Sequence, residues 1–260
     1  MAIVKKRLGQ HWLTDTQALE AIVECAEIDR GDTVLEIGPG LGNLTEYLIG
    51  QAGHVVAVEL DESLSRRLAQ MFIGRTFTLH MGDILKFDLT SLPQAYKVVA
   101  NIPYYLTSNL LRVLSESSNP PKMIVLLVQK EVAERICAKP GKMSLLSVSV
   151  QLYYDTEKGI VVPAKLFEPP PKVDSQVVIL KRHNKPVFHD LDTKRFFRLV
   201  KAGFAGRRKK LRSSLAGGLK ISKKQAEELL KKAKINPDKR AQELSLEDWH
   251  RIYEEIGHRK

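Results

Sequence analysis

The sequence predicts an α/β protein, with a parallel sheet covered by helices on both faces and a small helical domain behind it. Apolar runs alternate with amphipathic segments from Thr33 onward, which is typical of such a sheet. After about residue 184 only helical patterns remain. With 260 residues, 43% of them hydrophobic, the chain is large enough to bury a substantial core.

Five short runs rich in Val, Ile and Leu predict the strands. Because both faces of a parallel sheet are buried, its strands are nearly continuous in apolar residues. Between the runs lie segments whose apolar residues recur at helical spacing. The strand candidates are "TVLEIG", "HVVAVEL", "FTLHMGD", "KVVANI" and "MIVLLVQ", and the helix candidates are "LTEYLIGQ", "DESLSRRLAQMF" and "SNLLRVLSESS".

A late antiparallel pair is expected around the proline-rich stretch "VVPAKLFEPPPKVD", formed by "SLLSVSVQLYY" and "SQVVILKRH". Three helices are expected after it. "TKRFFRLVKAGF" has Phe196, Val200 and Phe204 on one face, "SKKQAEELLKKAK" opens with a Ser222–Gln225 capping box, and "SLEDWHRIYEEIG" carries an apolar stripe. We therefore expect a catalytic domain over residues 1–184 and a helical domain over residues 185–260.

The net charge of +11 is confined to the second of these regions. Residues 1–182 contain 20 basic and 20 acidic residues, whereas residues 183–260 contain 21 basic and 10 acidic residues. Such asymmetry favours a module that contacts a polyanion, and nucleic acid is the commonest one inside cells. We expect phosphate contacts from the basic cluster of Arg207, Arg208, Lys209, Lys210 and Arg212.

Composition also argues against several classes of protein. The two cysteines, Cys25 and Cys137, and the seven scattered histidines show no metal-ligand spacing, so we expect no metal and a reducing compartment. The longest aliphatic run has six residues, too few to cross a bilayer, and no apolar segment follows the N-terminal charges. We expect a cytoplasmic protein without membrane association.

The strongest motif is "VLEIGPGLGNLT", a strand that runs through Gly38, Gly40 and Gly42 into a helix. Glycines at such a turn let a ligand approach the backbone, and the helix N-terminus favours polar or anionic groups. The spacing matches neither the dinucleotide fingerprint nor a P-loop. By itself the motif indicates a nucleoside-containing cofactor without saying which one.

Polar residues follow the next strands at the same expected edge of the sheet. Glu59 ends the second strand and is placed to accept hydrogen bonds from ribose hydroxyls. Asp83, after the third strand, is suited to an adenine amine, and Ile84 to packing on the ring. The fourth strand ends in "NIPYYLTS", so Asn101 is expected beside them. Open α/β sheets bind ligands at this edge.

These motifs together resemble class I S-adenosylmethionine-dependent methyltransferases, and the Asn-Ile-Pro-Tyr form resembles those that methylate an exocyclic amine of a base. More narrowly, residues 5 to about 250 resemble the KsgA (RsmA) family of small-subunit ribosomal RNA adenine N6,N6-dimethyltransferases. The segments that carry this resemblance are "KKRLGQHWL", "FEPPPKVDSQVV", "FRLVKAGFAGRRKKLRSSL" and "RAQELSLEDW".

The resemblance implies S-adenosylmethionine as cofactor. It further implies that Gln10, His11 and Leu13 fold over the cofactor and that Gly38 and Gly40 lie against its methionine part, with Glu59, Leu60, Asp83, Ile84 and Asn101 as further contacts. His11 and Trp12 stand where family members often carry Asn and Phe.

For the target base, the side-chain oxygen of Asn101 and the backbone beside Pro103 are expected to hold the N6 amine. Tyr104 is expected to stack on the ring and Phe167 to close its other side. Tyr105 is expected to be structural. Adenine must leave its stack to enter such a site, so the target is a flipped-out or single-stranded base.

The expected partner is small-subunit rRNA or a pre-30S particle. The expected reaction is dimethylation of two adjacent adenosines near the 3′ end of 16S rRNA. The chain is expected to be a monomer. Two alternatives stay open: a large-subunit rRNA adenine methyltransferase of the macrolide-resistance type, and a non-catalytic RNA-binding assembly factor on the same fold. A small-molecule methyltransferase would not need the basic region.

Overall fold

The computed structural model describes residues 11–206 and 208–257. Gln10 and Arg207 are therefore outside the described residues. The chain divides into two compact units. The first contains the residues up to Glu134 together with Tyr154–Arg182, and the second contains Arg135–Tyr153 and the residues from His183 onward. The division after Arg182 is close to the expected boundary at residue 184, but residues 135–153 group with the second unit, which the single boundary did not foresee.

The first unit is built on a seven-stranded mixed sheet in the order β4-β3-β2-β5-β6-β9-β7. Strands β2 to β6 are parallel, β9 is antiparallel to β6, and β7 is antiparallel to β9. The strands are β2 (Thr33–Ile37), β3 (His54–Glu59), β4 (Phe77–Met81), β5 (Lys97–Asn101), β6 (Met123–Gln129), β7 (Tyr154–Val162) and β9 (Ser175–Arg182). All five predicted parallel strands are confirmed.

Helices cover this sheet on both sides. Two of them begin at side-chain caps: the carboxylate of Asp15 accepts from the backbone N–H of Ala18, and that of Asp61 accepts from the N–H of Ser63. A separate pair of two-residue strands, β1 (Trp12–Leu13) and β8 (Phe167–Glu168), is antiparallel. The helices are α1 (Thr16–Glu24), α2 (Asn43–Gln51), α3 (Glu62–Met71), α4 (Thr107–Glu116) and α5 (Lys130–Ile136).

The expectation that "SLLSVSVQLYY" forms a strand is wrong. Its first part is helix α6 (Leu145–Gln151), and the strand that pairs with β9 is β7, which begins at Tyr154. Alternating serines and apolar residues suggested a period of two. The buried residues Val148 and Leu152 are instead four apart, and Ser144 forms a capping box with Ser147.

The second unit is helical, as expected, and its three predicted helices are confirmed. The aromatic ring of Trp249 is fully buried, with Phe196, Val200 and Ile252 in the same core. Ser222 and Gln225 form the predicted capping box. Its helices after α6 are α7 (Thr193–Phe204), α8 (Leu211–Leu219), α9 (Lys223–Lys232) and α10 (Leu246–Gly257). Among the described residues, no helix is long and apolar enough to cross a membrane.

Candidate active site

A cavity of about 240 Å³ opens at the carboxyl ends of β2, β3 and β5. Strand register aligns these ends, since Ile37 of β2 pairs with Val58 of β3, and Glu59 of β3 pairs with Met81 of β4. Eleven of the residues predicted for the site line this cavity: His11, Leu13, Gly38, Gly40, Glu59, Leu60, Asp83, Ile84, Asn101, Pro103 and Tyr104. Residues up to 93 positions apart in the sequence thus meet at one edge of the sheet.

The glycine turn exposes backbone to the cavity. Gly38 and Gly40 both have positive φ, +64° and +60°. A Cβ at Gly38 would meet no atom within 4 Å, so nothing of the protein fills the space above it. A Cβ at Gly40 would lie 3.2 Å from the ring of Trp12, which packs directly against the turn. Glycine is therefore needed at position 40 for conformation and for space.

The carboxylate of Glu59 accepts hydrogen bonds from two backbone N–H groups, those of Gly40 and Asp61. Its Oε2 accepts from the backbone N–H of Gly40 at 3.1 Å, and its Oε1 accepts from the N–H of Asp61 at 2.8 Å. Burial raises the pKa of Glu59, although the two backbone hydrogen bonds oppose the shift. The carboxylate is thus held in place by the backbone, with lone pairs left for a ligand.

Glu36, next to the last residue of β2, lines the same cavity and was missed from the sequence. Its side chain is buried, and its Oε2 has no hydrogen-bond partner among the described residues. Burial raises the pKa of Glu36 to about 8; a hydrogen bond from the Thr45 side chain opposes the shift, and the charge of Glu59 adds to it. A buried carboxyl without a partner is costly. The signal was an acid inside an otherwise apolar strand.

The opposite wall is formed after β4. Asp83 caps a short 3₁₀ helix, Ile84–Lys86, because its Oδ1 accepts from the N–H of Leu85 at 3.0 Å. This places Ile84, which is nearly buried, and the second oxygen of Asp83 beside the cavity. Leu60 is 54% exposed at the rim. Two aliphatic side chains and a carboxylate suit a flat ring with a polar edge.

Asn101 ends β5 with its side chain oriented by the N-terminal segment. Its Nδ2 donates to the backbone carbonyl of His11 at 3.3 Å, so Oδ1 is the atom left to accept from a ligand. The N-terminal segment is itself fixed, because Asn43 donates to the carbonyl of Leu13 at 2.8 Å and His11 Nδ1 lies 2.7 Å from the carbonyl oxygen of Pro169.

Tyr104 follows Pro103 in a short 3₁₀ helix that leads into α4. Its hydroxyl lies 2.8 Å from the hydroxyl of Ser175. The ring is nearly parallel to that of His11, with an interplanar angle of 21° and 6.0 Å between centroids. Burial raises the pKa of Tyr104, partly offset by the Ser175 hydrogen bond, so the phenol stays neutral.

Two expectations at this site are not met. Phe167 is 4% exposed, lies with its strand partner Leu13 in the hydrophobic core of the first unit, and is not among the residues that line the cavity. Tyr105, expected to be structural, is 64% exposed and lines the cavity rim. Tyr104 and Tyr105 are neighbours in the same 3₁₀ turn, but Tyr104 is half-buried and Tyr105 is exposed.

The predicted basic cluster is divided by its ion pairs. Arg208, Lys209 and Lys210 are exposed and Arg212 is half-buried. Arg212 pairs with Glu227 at 2.7 Å and with Asp238 at 3.3 Å, and Lys210 pairs with Asp238 at 3.1 Å. No ion pair involves Arg208 or Lys209 within residues 11–206 and 208–257. In the same ranges, no cluster of His, Cys, Asp and Glu is arranged to hold a metal ion.

The donors and acceptors of the cavity fit a nucleoside cofactor with a cationic amino-acid tail. The backbone turn at Gly38 leaves open space, the buried Oε2 of Glu36 lacks a partner, and Glu59 presents fixed acceptors. Acidic groups predominate, so phosphate groups would be repelled.

Comparison with known proteins decides the family. The sequence profile "Ribosomal RNA adenine dimethylase" matches residues 1–258. The chain belongs to this family. It is an rRNA adenine dimethyltransferase by class, with a class I methyltransferase sheet and a methyl donor of the S-adenosylmethionine type.

Curated relatives and solved structures agree with this family. "Ribosomal RNA small subunit methyltransferase A" of Dehalococcoides mccartyi (strain CBDB1) is 44% identical over 95% of this chain and 87% of the relative. The protein of that name from Lactococcus lactis is 40% identical over 95% and 88%. A dimethyladenosine transferase from Plasmodium falciparum superposes with a TM-score of 0.81 at 27% identity, covering 95% and 97%. The 23S rRNA methyltransferase ErmE gives 0.76 at 27% identity, covering 95% and 99%.

Proposed function

We propose that the chain transfers methyl groups from S-adenosylmethionine to the N6 amines of two adjacent adenosines near the 3′ end of small-subunit rRNA. One observation carries the proposal: Asn101, whose Nδ2 donates to the carbonyl of His11 and whose Oδ1 is left to accept, lines the same cavity as Glu36, Glu59 and Asp83. The names of the curated relatives support the choice of the small subunit. We assign this reaction to the cytoplasm, with a pre-30S particle as the substrate. We further propose that the protein acts as a monomer and aids small-subunit biogenesis.

The cofactor supplies an electrophilic methyl group on a sulfonium, which needs only a correctly placed nucleophile. Its ribose hydroxyls are assigned to Glu59 and its adenine to Asp83, Ile84 and Leu60. Its methionine ammonium group is assigned to Glu36, whose unpartnered oxygen is the only buried carboxylate atom without a partner in the described part of the chain. His11 and Leu13 hold the N-terminal segment over the site, and Gln10 is assigned to the same segment.

Orientation of the amine is the main task of the protein. The N6 lone pair of adenine is delocalised into the ring, so the amine is a weak nucleophile. Oδ1 of Asn101 and a backbone carbonyl at Ile102 or Pro103 accept its two N–H bonds and turn the lone pair outward. Proximity and alignment of this kind supply several kcal/mol of a barrier, up to about 7–11 kcal/mol in the best cases.

The base is held by aromatic contact and its proton leaves late. Tyr104 offers its ring face at the cavity, and we add the exposed Tyr105 at the rim as a second candidate contact. Stacking of this kind contributes about 1–3 kcal/mol per base. Positive charge develops on nitrogen during transfer, so no side chain needs to remove a proton at the start. Asn101, Pro103 and Tyr104 are therefore the proposed catalytic residues.

RNA binding is assigned to the second unit, where the excess charge lies. Arg208 and Lys209 are exposed and unpaired in the described residues, and Arg207 precedes them. Lys210 and Arg212 share Asp238, so their contribution to phosphate binding is expected to be smaller.

The test is to incubate the purified chain and labelled cofactor with unmethylated small- and large-subunit rRNA, and to map methylated adenosines by mass spectrometry. Two adjacent dimethyladenosines in small-subunit rRNA are expected. Modification of large-subunit rRNA alone would favour the macrolide-resistance type. Saturable cofactor binding without any methyl transfer to either rRNA or to pre-30S particles would contradict catalysis. Absence of saturable cofactor binding would favour a non-catalytic assembly factor.

A further inference from the structure

Helix α7 carries four basic residues and no acidic one, whereas α8, which also lacks acidic residues, carries Arg212 alone. Over Thr193–Phe204 the basic residues of α7 are Lys194, Arg195, Arg198 and Lys201, all exposed. By contrast, α9 mixes lysines with Glu227 and Glu228, and α10 mixes both signs. Solvated helix faces ordinarily alternate charges that pair at i,i+4. A face with four basic residues and no acidic one is therefore specific to α7 among the described helices of this unit.

Three of these residues form a line, which we call the α7 stripe: Lys194, Arg198 and Lys201. They are spaced i, i+4 and i+7, so they lie on one face of the helix, over about 10 Å of its axis. The buried residues of α7, among them Phe196 and Val200, lie on the opposite face. The core therefore fixes the direction in which the stripe faces outward.

Among the described residues, no carboxylate forms an ion pair with the α7 stripe. Arg212, by contrast, pairs with Glu227 and Asp238. Carboxylate partners reduce the attraction of a cation for phosphate, because the pair must be broken or shared. Within the part of the chain that the structure describes, the α7 stripe retains its full charge for a ligand.

We propose that the α7 stripe is a docking surface for the phosphate backbone of RNA, in addition to the cluster at residues 207–212. This rests on the proposed rRNA substrate. Phosphates of one strand of duplex DNA are spaced by about 3.4 Å along the axis, and at a comparable spacing in RNA about three of them span the stripe. Its contacts give affinity and register without reading sequence.

The test is the salt dependence of binding to a small-subunit rRNA fragment, measured by fluorescence anisotropy between 50 and 200 mM salt. The variant Lys194→Ala/Arg198→Ala/Lys201→Ala is compared with Lys223→Ala/Lys224→Ala/Lys232→Ala on α9, which loses the same charge from exposed positions. The slope of log K against log salt is expected to fall by about 2–3 for the stripe variant, at about 0.7–0.9 per phosphate, and by less than about 1 for the control.

Equal slopes for the two variants would overturn the stripe, because net charge alone would then explain the loss. A loss of binding to anionic lipid vesicles with unchanged RNA binding would overturn it as well. Wild-type protein that methylates small-subunit rRNA while the stripe variant binds it normally would reject the stripe alone. Wild-type protein without methyl transfer would reject the proposed function itself.

An independent observation concerns Ser175, which lies directly behind the cavity. It is fully buried at the start of β9, where it pairs with Gln129 of β6 on one side and Val162 of β7 on the other. Its backbone is thereby fixed by two neighbouring strands. Its hydroxyl lies 2.8 Å from that of Tyr104, across 71 residues of sequence.

We infer that Ser175 is a positioning residue for Tyr104. The short turn that carries Tyr104 is otherwise held at its backbone, by a bond from Thr107 Oγ1 to the carbonyl of Tyr104 and one from the N–H of Leu106 to the carbonyl of Pro103. The rotational freedom of the ring is then restricted by stacking on His11 and by the Ser175 hydrogen bond. This hydrogen bond acts at the far end of the ring. The ring face is then already in place when the base enters.

The test is a double-mutant cycle of Tyr104→Phe and Ser175→Ala, read out as kcat and KM for rRNA and as cofactor Kd. Each single variant is expected to lower kcat about 3- to 10-fold, consistent with one hydrogen bond of about 1 kcal/mol, and the double variant to be no worse than either. Cofactor Kd should not change. Ser65→Ala, which removes a buried hydroxyl without a partner, is the control.

Additive losses in the double variant would overturn the inference, because they would show that the two hydroxyls act separately. Normal kcat in Tyr104→Phe would overturn it too. If Ser175→Ala proves unstable, Tyr104→Phe alone decides, since it removes the same bond without touching the sheet.

Discussion

The two edges of the parallel sheet both bury carboxyl groups, but they treat them in opposite ways. At the amino ends of the strands, Asp32 lies between two lysines, with Lys97 at 2.8 Å and Lys122 at 2.6 Å. At the carboxyl ends, Glu36 has no partner for one oxygen, and Glu59 has only backbone N–H partners. The length of the strands separates Asp32 at one edge from Glu36 and Glu59 at the other.

The pKa values follow from this difference. Burial alone would raise the pKa of Asp32, but hydrogen bonds from Lys122 and Lys97 outweigh it and lower the value to about 2. Burial without a cation raises the pKa of Glu36 to about 8. A buried acid with its own cations stabilises the fold, whereas one without a cation is available for a cationic ligand. The comparison separates structural from functional charge.

The largest expected effect is on the structural edge. Asp32→Asn leaves Lys97, only 6% exposed, without its carboxylate. Removing one partner of a buried ion pair costs about 3–5 kcal/mol, and we expect the free energy of unfolding to fall by that amount in urea titrations. The cofactor Kd, measured by calorimetry on the folded fraction, should stay within about twofold of the wild-type value. Such a change is much smaller than a tenfold change, which corresponds to about 1.4 kcal/mol. A large loss of affinity would show that the two edges are not independent.

A smaller effect is expected for Glu36→Gln, on the functional edge. Glu36 is mainly protonated at pH 7 in the folded free protein but ionised in the unfolded chain, so folding at this pH takes up a proton at a cost. A neutral amide avoids that cost and should raise the free energy of unfolding, by up to about 3 kcal/mol. Cofactor affinity should fall about tenfold, because a charge-assisted hydrogen bond contributes about 1.5–3 kcal/mol. A stable variant with unchanged cofactor Kd would remove Glu36 from the binding site.

The smallest effect is a dependence of cofactor affinity on pH. A cationic ligand needs Glu36 ionised, so binding below about pH 8 must release its proton. Affinity should rise with pH from 6 to 8, by less than tenfold per unit, and then level off. The rise should be absent in Glu36→Gln, measured in the same buffers. A rise of equal size in that variant would assign it to another group.

The same groups predict opposite effects of pH on stability. The folded-state pKa of Asp32 is lowered, so its contribution is present above the unfolded pKa near 4 and is lost as the pH falls to about 2. The folded-state pKa of Glu36 is raised, so its contribution is present below about pH 4.5 and is lost as the pH rises through about 8. Urea titrations of Asp32→Asn and Glu36→Gln across these ranges separate the two.

The sequence alone was sufficient for the parallel sheet and for most of the cavity. Continuous apolar strands end in Glu59, Asp83 and Asn101, and parallel strands bring such ends together. These residues were predicted because each stands at a strand end, where polarity changes abruptly. The helix at Leu145–Gln151 was missed because its serines imitate the alternation of a strand.

Features that depend on distant pairing were beyond the sequence. Asp32 meets lysines 65 and 90 residues away, and Tyr104 meets Ser175 after 71 residues. Phe167 was predicted as a base contact from its proline-rich loop, but its side chain is buried in the core of the first unit. No local sequence pattern shows which side of a strand faces a cavity. For the same reason, Glu36 was not predicted as a site residue.

The most direct test of the functional edge is Asn101→Ala, with methyl transfer to rRNA and cofactor Kd measured on the same preparation. Removing one preorganised hydrogen-bonding group lowers kcat by about 10²–10³-fold in comparable sites, and a loss of that size is expected here. Cofactor Kd and the free energy of unfolding should remain close to wild type. Methyl transfer at the wild-type rate would contradict the account, because the amine would then be oriented without Asn101.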